Sequence, residues 1–381
     1  VGSLSELDLE TEILIKCITE DPQLIIDFGK LNWRSLLIRA SINNVLYLFT
    51  KKVLSKYETL LPPNLVEKLK LIQFKGDEYI RLLEGTITFL SNLFSKAGVE
   101  FMVIKTLKAL PYVTTDVDIL VNPQSFRKAE AILKKLEYQH VSYKVSLDSS
   151  FKILRSLRSD FSRLIKLDLR PRSKRLSMDV HIMLPGLLRI DLYGNLLWQG
   201  VQYLDIDFFW KKPRERKIQG VDCLIPNLEA ELALLIAHIL NERRYITLLD
   251  FLIIKDSFNK VDWDCILEQS KKHGWFKSAL RFISIINQIN RKIYPRDPKP
   301  IISSQAFKFG SLRSTIKAPL SMPYIYSIPE AMEVFREWSR KAMCIPLYDI
   351  LYFLWARQRF YWSHKQKVPV YGHWFDFSRI F

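Results

Sequence analysis

Residues 116 to 121 read Asp-Val-Asp-Ile-Leu-Val, and few folds tolerate that string. As a β-strand it puts Asp116, Asp118 and Leu120 on one face and Val117, Ile119 and Val121 on the other. The first face carries two carboxylates roughly 6 to 7 Å apart. Asp is depleted in strands, and like charges at that separation repel. Two arrangements resolve the conflict. Hard oxygen ligands suit a divalent ion such as Mg2+ or Mn2+, which keeps further positions for water and phosphate oxygens. Otherwise the pair faces water at a sheet edge, with Lys105, Lys108 or an arginine balancing its charge.

The remainder of the chain sets the context. Its 381 residues, 48% of them hydrophobic, suffice for two or three domains with buried cores. No stretch of eighteen consecutive apolar residues occurs, and the first residues lack a basic start followed by an apolar run, so a soluble, cytoplasmic protein without a membrane partner is expected. Cys17, Cys223, Cys265 and Cys344 are far apart, with no CxxC spacing, so neither zinc nor a disulfide frame is expected. A net charge of +17 attracts polyanions and points to nucleotide or nucleic acid.

The apolar periodicity divides the chain in three. Residues 1–97 carry helical spacing in "LETEILIKCI", "NWRSLLIRASINNVLYLFTKKVLSKY" and the long segment after Pro62-Pro63, where Asn64 is placed to cap. Residues 98–225 switch to short strands, "GVEFMVIK", "DVDILV", "LIKLDLR", "LSMDVHIML", "LRIDLYG" and "VDCLIP", interrupted by one amphipathic helix, "PQSFRKAEAILKKLEYQ". From residue 226 to 381 helices return; "NLEAELALLIAHIL", with Asn227 as cap, is apolar nearly all round and should be buried. The expected fold is α+β, a mixed sheet flanked by helical regions on both sides in sequence.

A strand, a short connection, a second strand with two aspartates and a third aspartate from a later strand is the arrangement of nucleotidyltransferases related to polymerase β. The blocks "NWRSLLIRASINNVLYLF", "GVEFMVIKTLKALPYVTTDVDILV", "LRIDLYGNLLWQGVQYLDIDFFW", "IPNLEAELALLIAHIL" and "YITLLDFLIIKD" resemble, in order, an uncharacterised nucleotidyltransferase family of that superfamily. The resemblance implies a nucleotidyltransferase fold and transfer of a nucleoside monophosphate from an NTP. It implies that Asp116 and Asp118 hold two metal ions, with a third carboxylate from Asp191 in "RIDLYG" or, alternatively, Asp179 in "MDVHIML". Where the superfamily places Gly-Gly or Gly-Ser before the aspartates, this chain has Lys105-Thr106. Lys105 would then offer a point charge to the phosphates, and Thr106 or Thr115 a hydroxyl; the competing role for Lys105 is an ion pair with Asp116 or Asp118.

The acceptor is read from charge. The segment from Lys152 to Arg189 is dense in bases, and Arg170, Arg172, Lys174 and Arg175 are candidate backbone-phosphate contacts for RNA or DNA. Arg243 and Arg244, just past the buried helix, are placed to reach a phosphate or base. Trp355, Arg357, Arg359, Tyr361 and Trp362 interleave bases with aromatics, as a stacking surface or as the seam of a terminal helix. His238 and Asp250, on apolar helices, are expected to bridge helices. Two other readings stand beside the nucleic-acid enzyme: an enzyme modifying a small molecule or a protein hydroxyl, and a catalytically silent fold that binds nucleic acid or regulates.

Overall fold

The structure, a computed structural model, describes residues 9–19, 31–135, 139–140, 179–183, 188–198, 201–243, 245–294, 324–326, 332 and 334. Four helices come first: α1 (Leu9–Thr19), α2 (Trp33–Ile42), α3 (Leu46–Tyr57) and α4 (Pro63–Lys96). The periodicity from Asn32 to Tyr57 reads as continuous, yet the chain turns between α2 and α3 because Asn44 adopts a left-handed φ of 58°, which asparagine tolerates better than most residues. In α4 Pro62 is the N-cap and Pro63 occupies the first turn, where its missing N–H costs nothing. Asn64 therefore lies inside the helix rather than capping it.

One seven-stranded mixed sheet follows. Its strands are β1 (Phe101–Ile104), β2 (Asp116–Val121), β3 (Gln139–His140), β4 (Asp179–Met183), β5 (Arg189–Tyr193), β8 (Arg214–Ile218) and β9 (Val221–Ile225), ordered β3-β4-β5-β2-β1-β9-β8. A small hairpin, β6 (Leu197–Trp198) with β7 (Val201–Gln202), stands apart. Helix α5 (Phe126–Lys134) ends sooner than its sequence pattern suggests, and Gln139 already pairs in the sheet. Strand β2 pairs parallel with β5 and antiparallel with β1, so the carboxylate strand is central and not an edge.

Val117, Ile119 and Val121 pack against Leu83, Ile87, Leu90 and Phe94 of α4 and against Phe126, Ala129 and Leu133 of α5. Each is fully buried, and burial of such a side chain stabilises by about 1.5 to 3 kcal/mol. Gly194, just past β5, lies under the Phe126 ring, where a Cβ would collide. Leu120, Met102 and Ile104 on the opposite face join a larger core. That core contains α1 to α3 together with α6 (Ile206–Trp210), α7 (Leu228–His238), α8 (Leu248–Ser257), α9 (Trp263–His273) and α10 (Phe276–Ile293). Helices from both ends of the chain therefore share one interior. Asn43 ties them directly: its side-chain oxygen accepts from Leu248 N–H at 3.0 Å and its carbonyl from Leu249 N–H at 3.3 Å, at the start of α8. Asn227 caps α7 by accepting from Ala230 N–H at 2.7 Å, and α7 is buried along most of its length. A last short strand, β11 (Tyr324–Ile325), pairs with β10 (Tyr245–Ile246). No helix among the described residues is long and apolar enough to cross a membrane.

Candidate active site

The register of β2 and β5 assembles the site. Asp118 faces Asp191 and Asp116 faces Arg189 across the parallel pair, so all four project from one face. On the next strand Ile104 faces Asp118. Across β4 and β5, Asp179 is opposite Tyr193 and His181 opposite Asp191; Asp179 is thus a strand further from Asp118 than Asp191 is.

Among the described residues, Arg189 and Lys105 meet the carboxylates. The Arg189 guanidinium spans Asp116 and Asp191: one terminal nitrogen contacts the Asp116 carboxylate and also donates to Asp191 Oδ2 at 3.1 Å, while Nε lies 3.0 Å from Asp191 Oδ1. Lys105 Nζ lies 3.6 Å from Asp118 Oδ1, donates to the Tyr193 hydroxyl at 3.2 Å and sits 4.4 Å from the Tyr193 ring centroid. Thr114 Oγ1 donates to Asp116 Oδ1 at 2.7 Å. Thr106 is fully occupied by Asp118, accepting its backbone N–H at 2.8 Å and facing its carboxylate at 3.4 Å. Thr115 is exposed.

Burial pushes the Asp118 carboxyl up to about 6, with Asp116 and Asp191 adding repulsion that Lys105 and a Tyr193 hydrogen bond oppose. The rim is open, since the Asp116 and Arg189 side chains keep 26% and 28% of their surface.

Lys105 has a φ of 55°, a left-handed conformation that favours glycine. A hydrogen bond from Thr106 N–H to the Ile104 carbonyl closes a three-residue turn around it, the strained hand of γ-turn. Tyr112 secures the turn by donating its hydroxyl to the Lys105 carbonyl at 3.2 Å. So lysine stands where a glycine backbone would be at ease, and its side chain is aimed at Asp118.

From the other side, α7 ends in a π-helical turn, Ile239–Arg243, close enough for Arg243 to act electrostatically on Tyr112 and Lys108. Arg243 is ion-paired to Asp250 at 3.0 Å and stacks over Tyr245 at 5.6 Å. Asp250 also completes a capping box with Thr247. Arg170, Arg172, Lys174, Arg175, Arg244 and the aromatic tail lie outside the described residues.

A family model described as an uncharacterised nucleotidyltransferase matches residues 29–290, well over half of the chain, including Lys105, Asp116, Asp118, Arg189 and Asp191. The chain belongs to that family. No curated protein and no solved structure matches it. Membership carries a general nucleotidyl-transfer character, a chemistry that generally uses an NTP and divalent metals. Three carboxylates on adjoining strands have the donor chemistry for such an ion. Among the described residues no three His, Cys, Asp or Glu side chains converge as a ready ligand set. Arg189 stands between Asp116 and Asp191.

Arg189 is the site residue the sequence reading missed. Its signal was present, because Arg189 and Asp191 are two apart on a strand, the same spacing that put Asp116 and Asp118 on one face.

Proposed function

We propose that this protein transfers a nucleoside monophosphate from an NTP to a hydroxyl of RNA or DNA, with Asp116, Asp118 and Asp191 as the carboxylates that hold Mg2+ or Mn2+. The observation that carries the reading is the β2/β5 register, which sets Asp118 beside Asp191 and Asp116 one row away within the family-matched region. In transfer, the acceptor oxygen bonds to the α-phosphorus as the bond to pyrophosphate breaks, and negative charge grows on the phosphoryl oxygens. Two bound ions would supply Lewis acidity there and lower the pKa of the acceptor hydroxyl.

The chain positions and neutralises. Asp191, nearly buried and centred between β2 and β4, would orient the acceptor proton; Asp179 is the alternative third carboxylate. Lys105, fixed by its turn and by Tyr193, would meet the triphosphate, and the exposed Thr115 hydroxyl would donate to it. Thr106 would act through Asp118, which it already engages. Arg170, Arg172, Lys174, Arg175, Arg243 and Arg244 would track the nucleic-acid backbone.

A second reading, a silent fold that binds nucleic acid, is favoured by one feature: Lys105 and Arg189 already neutralise the carboxylates from within. Transfer of label from α-phosphate-labelled NTPs to RNA or single-stranded DNA, with Mg2+ or Mn2+, separates the two. Label with the wild type and none with Asp116→Ala/Asp118→Ala supports transfer. No label, with metal-independent nucleic-acid binding that ignores those substitutions, supports the silent fold.

A further inference from the structure

Asp116, Asp118 and Asp191 share one sheet face, and among the described residues Lys105 and Arg189 form ion pairs with them. The two cations are placed differently. Lys105 comes from outside the strand row, held over the Tyr193 ring. Arg189 belongs to the row itself, directly across from Asp116 and two residues before Asp191. One terminal nitrogen contacts Asp116 and also donates to Asp191, while Nε stands 3.0 Å from Asp191 Oδ1 as an ion-pair contact without hydrogen-bond geometry, so a single planar guanidinium reaches both carboxylates, a span a lysine ammonium does not reproduce. Both guanidinium and Asp116 are about one quarter exposed, so the contact can open without unpacking the core.

We infer that Arg189 is a built-in counter-ion that occupies the cation position between Asp116 and Asp191, and that a divalent metal must displace it to bind. The inference rests on the proposed metal-carboxylate reading of the site, and it assigns Arg189 as a positioning residue that holds the acids together until the metal arrives. The intact protein alone would then take up metal weakly. Displacement would become favourable when an NTP arrives, because its phosphates supply further ligands to the metal and an anionic partner for the freed guanidinium.

Calorimetric titration of Mn2+ into the whole metal-free protein, without nucleotide, tests this. Arg189→Gln removes the competing charge and should bind Mn2+ at least about tenfold more tightly than wild type. Adding Asp116→Asn to Arg189→Gln should erase that gain. Arg189→Lys keeps a charge but loses the fork, and should lie between the two. Equal or weaker Mn2+ binding by a cooperatively melting Arg189→Gln overturns the inference. If Arg189→Gln does not fold, the same result from Arg189→Lys overturns it. The outcomes are separable from the transfer reading: tighter Mn2+ binding without label transfer by the wild type keeps the counter-ion and removes the enzyme, whereas label transfer with unchanged Mn2+ affinity does the reverse.

Discussion

Asp118 on β2 and Asp250 at the start of α8 are both aspartates less than a tenth exposed, and their surroundings treat them oppositely. Burial alone would raise the proton affinity of either. At Asp250 it is outweighed by Arg243 at 3.0 Å, the Thr247 hydroxyl at 2.7 Å and the Thr247 N–H at 3.0 Å, which hold the carboxyl below its usual range. At Asp118 burial wins, helped by Asp116 and Asp191, and the carboxyl is pushed up to about 6. A carboxylate that serves packing is given its full set of donors. One left under-compensated beside two others marks a place where the chain gives up stability to keep acids together.

The contrast can be broken in several ways. Asp118→Asn should reduce label transfer on the order of 10^3-fold or more, yet leave the unfolding free energy of the metal-free protein unchanged or higher. Asp250→Ala should cost about 3 to 5 kcal/mol in denaturant unfolding, because it strands the largely buried Arg243 and removes half of a capping box. Equal stability losses in the two variants would erase the distinction.

Proton linkage sharpens it next. Asp118 has a raised folded pKa, so its contribution to stability is fully present below the unfolded value near 4 and is lost as pH rises through about 6. Wild type should therefore lose on the order of 2 kcal/mol relative to Asp118→Asn between pH 4 and pH 7, without metal. Asp250, with a lowered folded pKa, contributes fully above about pH 4 and loses its contribution only as pH falls through that lowered value. The stability gap between wild type and Asp250→Ala should then be flat from pH 5 to 7 and shrink only in stronger acid.

The smallest effect belongs to the turn. Lys105→Gly and Lys105→Ala remove the same ammonium from Asp118, but only glycine relieves the left-handed backbone. Lys105→Gly should be the more stable by about 1 kcal/mol in urea; equal stabilities would mean the turn relaxes.

Much of this was legible in the chain. Period-two alternation placed Asp116 and Asp118 opposite the valine face, and the three-and-four spacing found most of the helices. The same local rules, carried further, would have marked Arg189 and the Asn43-Asn44 break. What local rules could not supply was partnership. Lys105 was open between phosphate and ion pair, and the structure has it on Asp118; Asp250, expected to bridge helices, does so through Arg243 on the π-helical end of α7, and also caps its own helix.

The sequence by itself determined most of the described helices and the central strands of the sheet, because side-chain periodicity and backbone preference act over a few residues. It also determined the family, through motifs in order. Only the tertiary structure decided that β5 lies beside β2, that Arg189 sits between Asp116 and Asp191, and that α1 to α3 share one core with α7 to α10. Those outcomes depend on strand order and register, which are chosen by packing of the whole chain across separations of seventy residues and more.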